Sequence, residues 1–180
     1  MTLRTPSQTI GPFFHVGLKW EEGAKVVFPV AGERIVLTGR VYDGSGAAVS
    51  DALIETWQAG PDGKAPGGLS VAKASGYSRA ATDADGRYAI ETLMPAPCTG
   101  KGGENYAPQI HVTIFARGLL KALRTRVLLG DPEVVKRDPL ARAAGPRAST
   151  LAATQDANEV AVWRWDVRLQ GKDETAFIET

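Results

Sequence analysis

Few side chains in this sequence are suited to metal or nucleophile chemistry. There are two histidines, His15 and His111, one cysteine, Cys98, and four tyrosines, Tyr42, Tyr77, Tyr88 and Tyr106. A metal site of His and Cys alone would need His15, His111 and Cys98 together, and their spacing matches no metal-binding pattern. Neither histidine lies in a recognisable Ser–His–Asp context. HExxH, CxxC, GxSxG, Walker A and GxGxxG motifs are all absent. Cys98 sits in a Gly/Pro loop with only Lys101 nearby to lower its pKa, and reads as a passive thiol. Taken alone, the chain does not look like a self-sufficient enzyme.

The setting is equally constrained. Across 180 residues, 21 basic and 20 acidic side chains leave a formal charge of +1, no global footprint for nucleic acid or an anionic membrane. A lone cysteine excludes an internal disulfide and fits a reducing cytoplasm. No apolar run approaches the roughly 20 residues that span a bilayer. The opening MTLRTPSQTIGPFFHVGLKW has neither the apolar segment nor the cleavage site of a signal peptide. The 20 glycines and 11 prolines favour a turn-rich β architecture over a helix bundle. The expectation is one cytoplasmic domain over residues 1–180.

The elements that must position these residues follow from pattern. Residues 1–32 are expected to form an irregular arm, because Pro6, Gly11, Pro12, Gly17, Gly23, Pro29 and Gly32 interrupt every run. Ile10, Phe13, Phe14, Val16, Leu18 and Trp20 make it too apolar for a free tail, which predicts packing on a body or a partner. Residues 33–180 read as the body. Strands are expected over 34–42, 52–58, 87–93, 109–115 and 123–129, with turns at Asp43-Gly44 and Asp85-Gly86 and a pivot at Gly118. Residues 60–76 and 95–107 read as loops. Residues 131–148 read as a polar surface excursion with at most a short helix, and 160–170 (VAVWRWDVRLQ) as one alternating strand. About eight strands without a long amphipathic helix predict an all-β sandwich.

Several segments together resemble one family. TPSQTIGPFF (5–14), GRVYDGSGAAVSDALIETWQA (39–59), TDADGRYAIETLMP (82–95) and APQIHVTIFARGLLKALRTRVLL (107–129) occur in the order found in the intradiol ring-cleaving dioxygenases. The resemblance implies a β-sandwich and a non-haem ferric iron held by two tyrosines and two histidines. The histidines come as His-x-His, a spacing that puts both on one face of a strand. Here Gln109 takes the first histidine position and His111 the second. One tyrosine would stand eight residues after Trp57, at Ala65, and the other near Ala96. Three of four ligand positions are therefore empty, and without the tyrosinates ferric iron lacks its charge compensation.

In this family a non-metal α chain pairs with an iron-bearing β chain of the same fold, and the α arm helps to line the partner's site. The resemblance thus implies a hetero-oligomer of αβ pairs acting on a small aromatic substrate and O2, with Fe(III) on the partner. Carried over by position, Thr9, Gly11 and Pro12 would lie close to substrate, and Arg117 of IFARG would be the basic residue beside it. The residues alone also allow plainer readings. Arg117 could be a strand-end arginine facing water, Thr9, Gly11 and Pro12 could shape a turn, and His111 could be a satisfied strand histidine. A non-catalytic, transthyretin-like β-sandwich binding module is the alternative function.

Overall fold

A computed structural model describes residues 11, 13–20, 22–65, 76–159 and 161–178. Two sheets face each other across the main core. The first is centred on β1 (Arg34–Tyr42), which pairs antiparallel with β4 (Arg87–Leu93) along one edge. Along the other edge β1 runs parallel to β10 (Val162–Arg164) and then to β11 (Val167–Arg168), and β10 is flanked by β9 (Thr154–Gln155). The second sheet has the order β3 (Tyr77–Ala81), β2 (Leu53–Trp57), β7 (Gln109–Phe115), β8 (Leu123–Leu128), all antiparallel. A two-stranded ribbon, β5 (Cys98–Thr99) with β6 (Asn105–Tyr106), stands apart.

The alternation expected from sequence is what closes the core. Ile35, Leu37 and Val41 of β1 and Tyr88 and Ile90 of β4 meet Ile54, Ile110, Val112, Ile114 and Val127 of the second sheet. Buried Gln58 ties the layers together. Its Nε2 donates to the Leu93 carbonyl (2.8 Å), and its Oε1 accepts from the Thr92 hydroxyl (2.8 Å), so this buried amide is satisfied on both sides.

Four readings need correction. Residues 160–170 do not form one strand: β10 stops at Arg164 and β11 begins at Val167. The reason is Gly39 on β1, where a Cβ would stand 1.8 Å from the Trp165 oxygen. The chain crosses over that glycine, and Trp165 is fastened there by its N–H to Thr38 O (2.8 Å) and by Tyr88 Oη donating to its carbonyl (2.7 Å). Second, β3 was not anticipated, because its inward residues are Ser78 and Ala80 rather than large apolar ones. Third, the 95–107 loop holds the β5–β6 ribbon.

Fourth, residues 131–148 are more than a surface excursion. They form α2 (Pro132–Arg137), α3 (Pro139–Ala144) and the start of a 3-10 helix, Gly145–Leu151. Val135, Ala141 and Leu151 build a second small core with Leu128 and Ala107. Buried Asp138 holds it in place: its carboxylate accepts from Leu140 N (2.7 Å), capping α3, and from Ala107 N (2.8 Å).

Near the amino end, the chain is fastened to the body. Val26 N donates to Glu91 O, and Glu91 N to Ala24 O, along the free edge of β4. The single helical turn α1 (Phe14–Gly17) precedes this stretch.

Candidate functional site

Period two in the second sheet turns Ile110, Val112 and Ile114 into the core and leaves Gln109, His111, Thr113 and Phe115 on the outer face. The register places His111 directly between Trp57 of β2 and Arg126 of β8. Trp57 and His111 meet edge to face with ring centroids 5.6 Å apart. Arg126 Nη1 donates to Gln109 Oε1 (3.2 Å), while Gln109 Nε2 points at Cys98 Sγ (3.5 Å). Burial, and then the Arg126 charge, push the His111 pKa below its ordinary value, so the imidazole is neutral at pH 7.

Ferric iron does not suit this arrangement. At the two histidine positions of the resembled family the chain offers one amide already bonded and one neutral imidazole, with a guanidinium beside both. Ala65 and Ala96 bring no oxygen ligand, and Tyr106 belongs to the β5–β6 ribbon, paired with Cys98. A trivalent cation needs anionic donors, and the closest charge here is positive. Among the described residues no three His, Cys, Asp or Glu side chains are grouped so as to hold a metal ion.

Two of the four residues expected near substrate can be placed, Gly11 and Arg117. Thr9 and Pro12 fall outside the described residues. Gly11 is exposed, and its carbonyl accepts from Phe14 N (3.3 Å) at the start of α1. Arg117 follows β7, in the turn that Gly118 closes with a left-handed φ of +84°. Its Nε donates to Asp51 Oδ2 just before β2, in an ion pair whose arginine is largely exposed and whose aspartate is mostly covered. At about 3.3 Å per residue, Arg117 lies roughly 15–20 Å along the sheet from His111. Gln109 and His111 are thus brought together, and Arg117 is not brought to them.

Two features of this face were not found from sequence. Arg126 falls within the strand expected over 123–129, but its contact with Gln109 and its register with His111 need the β7–β8 pairing. The second is a cluster over β2 and β3. Arg79 donates from Nε and Nη2 to Glu55 Oε1 (2.8 and 2.5 Å) and from Nη1 to Leu18 O (3.1 Å). Trp20 stacks on Tyr77 at 6.3 Å and 11°. Burial, followed by Glu55, pushes the Tyr77 phenol well above its ordinary pKa. No local motif announces these contacts, since Arg79 is far from both Leu18 and Glu55 in sequence.

The two-layer β-sandwich with its His-bearing strand is the fold of the intradiol ring-cleavage dioxygenases. It superposes on such an enzyme from Tetranychus urticae with a TM-score of 0.64 at 16% identity, over 96% of this chain and 98% of that one. Residues 29–171 match the family described as dioxygenase. The chain is 37% identical to the protocatechuate 3,4-dioxygenase alpha chain of Burkholderia cepacia, over 98% of its own length and 97% of that protein. It is also 31% identical to the beta chain from the same organism, over 80% of this chain and 67% of that one. The chain belongs to the intradiol dioxygenase family.

Proposed function

We propose that this chain is the non-metal α subunit of a protocatechuate 3,4-dioxygenase and works with an iron-bearing β chain of the same fold. One observation carries the reading: a family frame whose metal position holds Gln109, His111 and Arg126 instead of an anionic ligand set. The near full-length likeness to an alpha chain supports it. The reaction adds both atoms of O2 to 3,4-dihydroxybenzoate, breaking the bond between the hydroxyl-bearing carbons and giving 3-carboxy-cis,cis-muconate, a step of aromatic catabolism. Fe(III) on the β chain supplies the oxygen chemistry.

This chain's share is the pocket wall. Thr9, Gly11 and Pro12 of the arm contribute backbone groups and shape beside the substrate, and Arg117 contributes positive charge toward its carboxylate. Phe13, Leu18 and Trp20 remain exposed on the isolated chain and are the apolar part of the arm that the partner covers. No helix among the described residues is long and apolar enough to cross a membrane, and we place the assembly in the cytoplasm.

The test is co-expression with an iron-bearing β chain, followed by native mass spectrometry, metal analysis and a ring-cleavage assay. The expected result is a complex of equal numbers of both chains, about one iron per pair, and activity only in the complex. Iron and ring cleavage on this chain alone would overturn the proposal. A lone, metal-free chain that joins no β chain would favour a binding module instead.

A further inference from the structure

We propose that Arg79 is a positioning residue for the ring-cleavage site: with Glu55 it latches the arm to the sandwich and so fixes where Gly11 stands. This rests on the reading that the arm walls the partner's site. It adds a residue that touches neither substrate nor iron.

The latch is built from contacts that converge on one side chain. Arg79 is spent on Glu55 through Nε and Nη2, which leaves Nη1 to hold the Leu18 carbonyl (3.1 Å). The guanidinium carbon lies 5.2 Å from the Trp20 ring centroid and 5.7 Å from that of Tyr77, next to the stacked pair. Cation–π attraction therefore adds to the hydrogen bonds. The Arg79 backbone N–H also donates to Gly23 O (2.7 Å), so one residue grips the arm on both sides of Trp20.

A short chain of hydrogen bonds leads from this grip to the substrate end of the arm. Leu18 O accepts from Arg79, Leu18 N donates to Phe14 O (3.0 Å), and Phe14 N donates to Gly11 O (3.3 Å). Between Gly11 and Arg79 there is only one helical turn, and a four-residue helix has almost no stability of its own. Its placement must come from its ends. Phe13 is 78% exposed and adds little anchorage of its own, so the Leu18–Trp20 end matters for where the turn stands. Glu55 is needed as well, because the carboxylate fixes the plane of the guanidinium that presents Nη1 to Leu18.

The experiment replaces the pair together, Arg79→Met with Glu55→Gln, so that no half-buried charge is left alone. Arg79→Lys, which keeps the charge but loses the planar fork, is the milder second variant. Limited trypsin digestion of the full chain is followed by mass spectrometry at the Lys19–Trp20 bond. Cleavage there is expected to quicken about tenfold in the double variant and less in Arg79→Lys, with the thermal midpoint of the sandwich little changed. In the αβ complex the KM for protocatechuate is expected to rise about fivefold while kcat stays within about twofold, the signature of binding lost equally from ground and transition states when the arm wall is no longer held in place.

Unchanged cleavage at Lys19 would overturn the latch. Faster cleavage with an unchanged KM would overturn the positioning role. If the wild-type complex cleaves no ring at all, the proposed function fails and the positioning role with it, while the digestion still judges the latch. If the double variant does not fold, both measurements are made on Arg79→Lys, and the same outcomes apply.

Discussion

Arg117 and Asp51 offer the sharpest test of how the α chain meets the substrate. Arg117 already has a carboxylate partner, and the arginine is 65% and the aspartate 17% exposed at the side chain. An ion pair that open is worth no more than about 1 kcal/mol. A charge-assisted bond to a substrate carboxylate in a covered pocket is worth about 1.5–3 kcal/mol. Sharing the guanidinium with Asp51 takes that toward the lower end, so Arg117→Ala should cost about 1.4 kcal/mol, or tenfold in KM for protocatechuate. Plain catechol, which lacks the carboxylate, should lose less than about twofold. The single variant also strands the Asp51 charge, which would repel the substrate by itself. Asp51→Asn and the double variant separate that effect from the loss of the arginine. Asp51→Asn alone frees the guanidinium and should lower the KM for protocatechuate modestly. Steady-state kinetics of the reconstituted complex on both substrates reads all four corners of the cycle. Equal losses on protocatechuate and catechol, or none, would refute the assignment and leave Arg117 a strand-end arginine.

Gly39→Ala drives a methyl into the Trp165 carbonyl, where only 1.8 Å is available. The crossing strand must retreat by more than about 1 Å and lose the bonds to Thr38 and Tyr88, about 3 kcal/mol or more, which chemical denaturation would show as a large fall in midpoint. Asp138→Ala removes the cap of α3 and the acceptor of Ala107 N. It should cost about 2–3 kcal/mol and selectively expose residues 131–151 to hydrogen exchange, so uniform protection would contradict the docking role. His111 has a pKa lowered in the folded state, first by burial and then by Arg126. The unfolded chain therefore binds the proton more readily, and stability is lost as pH falls below about 6.5 toward the folded pKa. His111→Gln should flatten that part of the stability–pH curve, and an NMR titration of the imidazole checks the direction.

The strands with large alternating side chains were legible because one face of each must be buried: 34–42, 87–93 and 109–115 were read with the bounds they have. Where the inward residues are small or polar the signal vanished. Tyr77–Ala81 turns Ser78 and Ala80 to the core, and the helices after Gly130 are too short for an apolar period to show: they dock through a few mostly small side chains, Val135 and Ala141 among them, and through Asp138. The break between β10 and β11 was hidden for another reason. Its cause is Gly39, more than 120 residues away in the chain, and alternation within 160–170 carries no trace of it.

The missing ligands could be counted in the sequence, but what replaced them could not. Gln109, Ala65 and Ala96 are legible by position, whereas Arg126 acquires its meaning only when β8 pairs with β7 and brings its charge against His111. That pairing changes the argument from loss to replacement. A site that had lost its tyrosines and one histidine, with no charge put in their place, would regain a pair of neutral imidazoles from one substitution. With Arg126 in place, Gln109→His would give two imidazoles beside a guanidinium and still no anionic donor, which is a poor host for a trivalent ion. The same substitution would free the amide's bond to Arg126 and leave that charge less well held. Gln109, His111 and Arg126 thus meet on a face with no anionic donor among them, and under the proposed function the chain's contribution to chemistry falls to parts that reach beyond this sheet. On that reading those parts are the arm and the Arg117–Asp51 corner, where the contacts of Arg79 with Leu18 and of Arg117 with Asp51 are long-range rather than set by any motif.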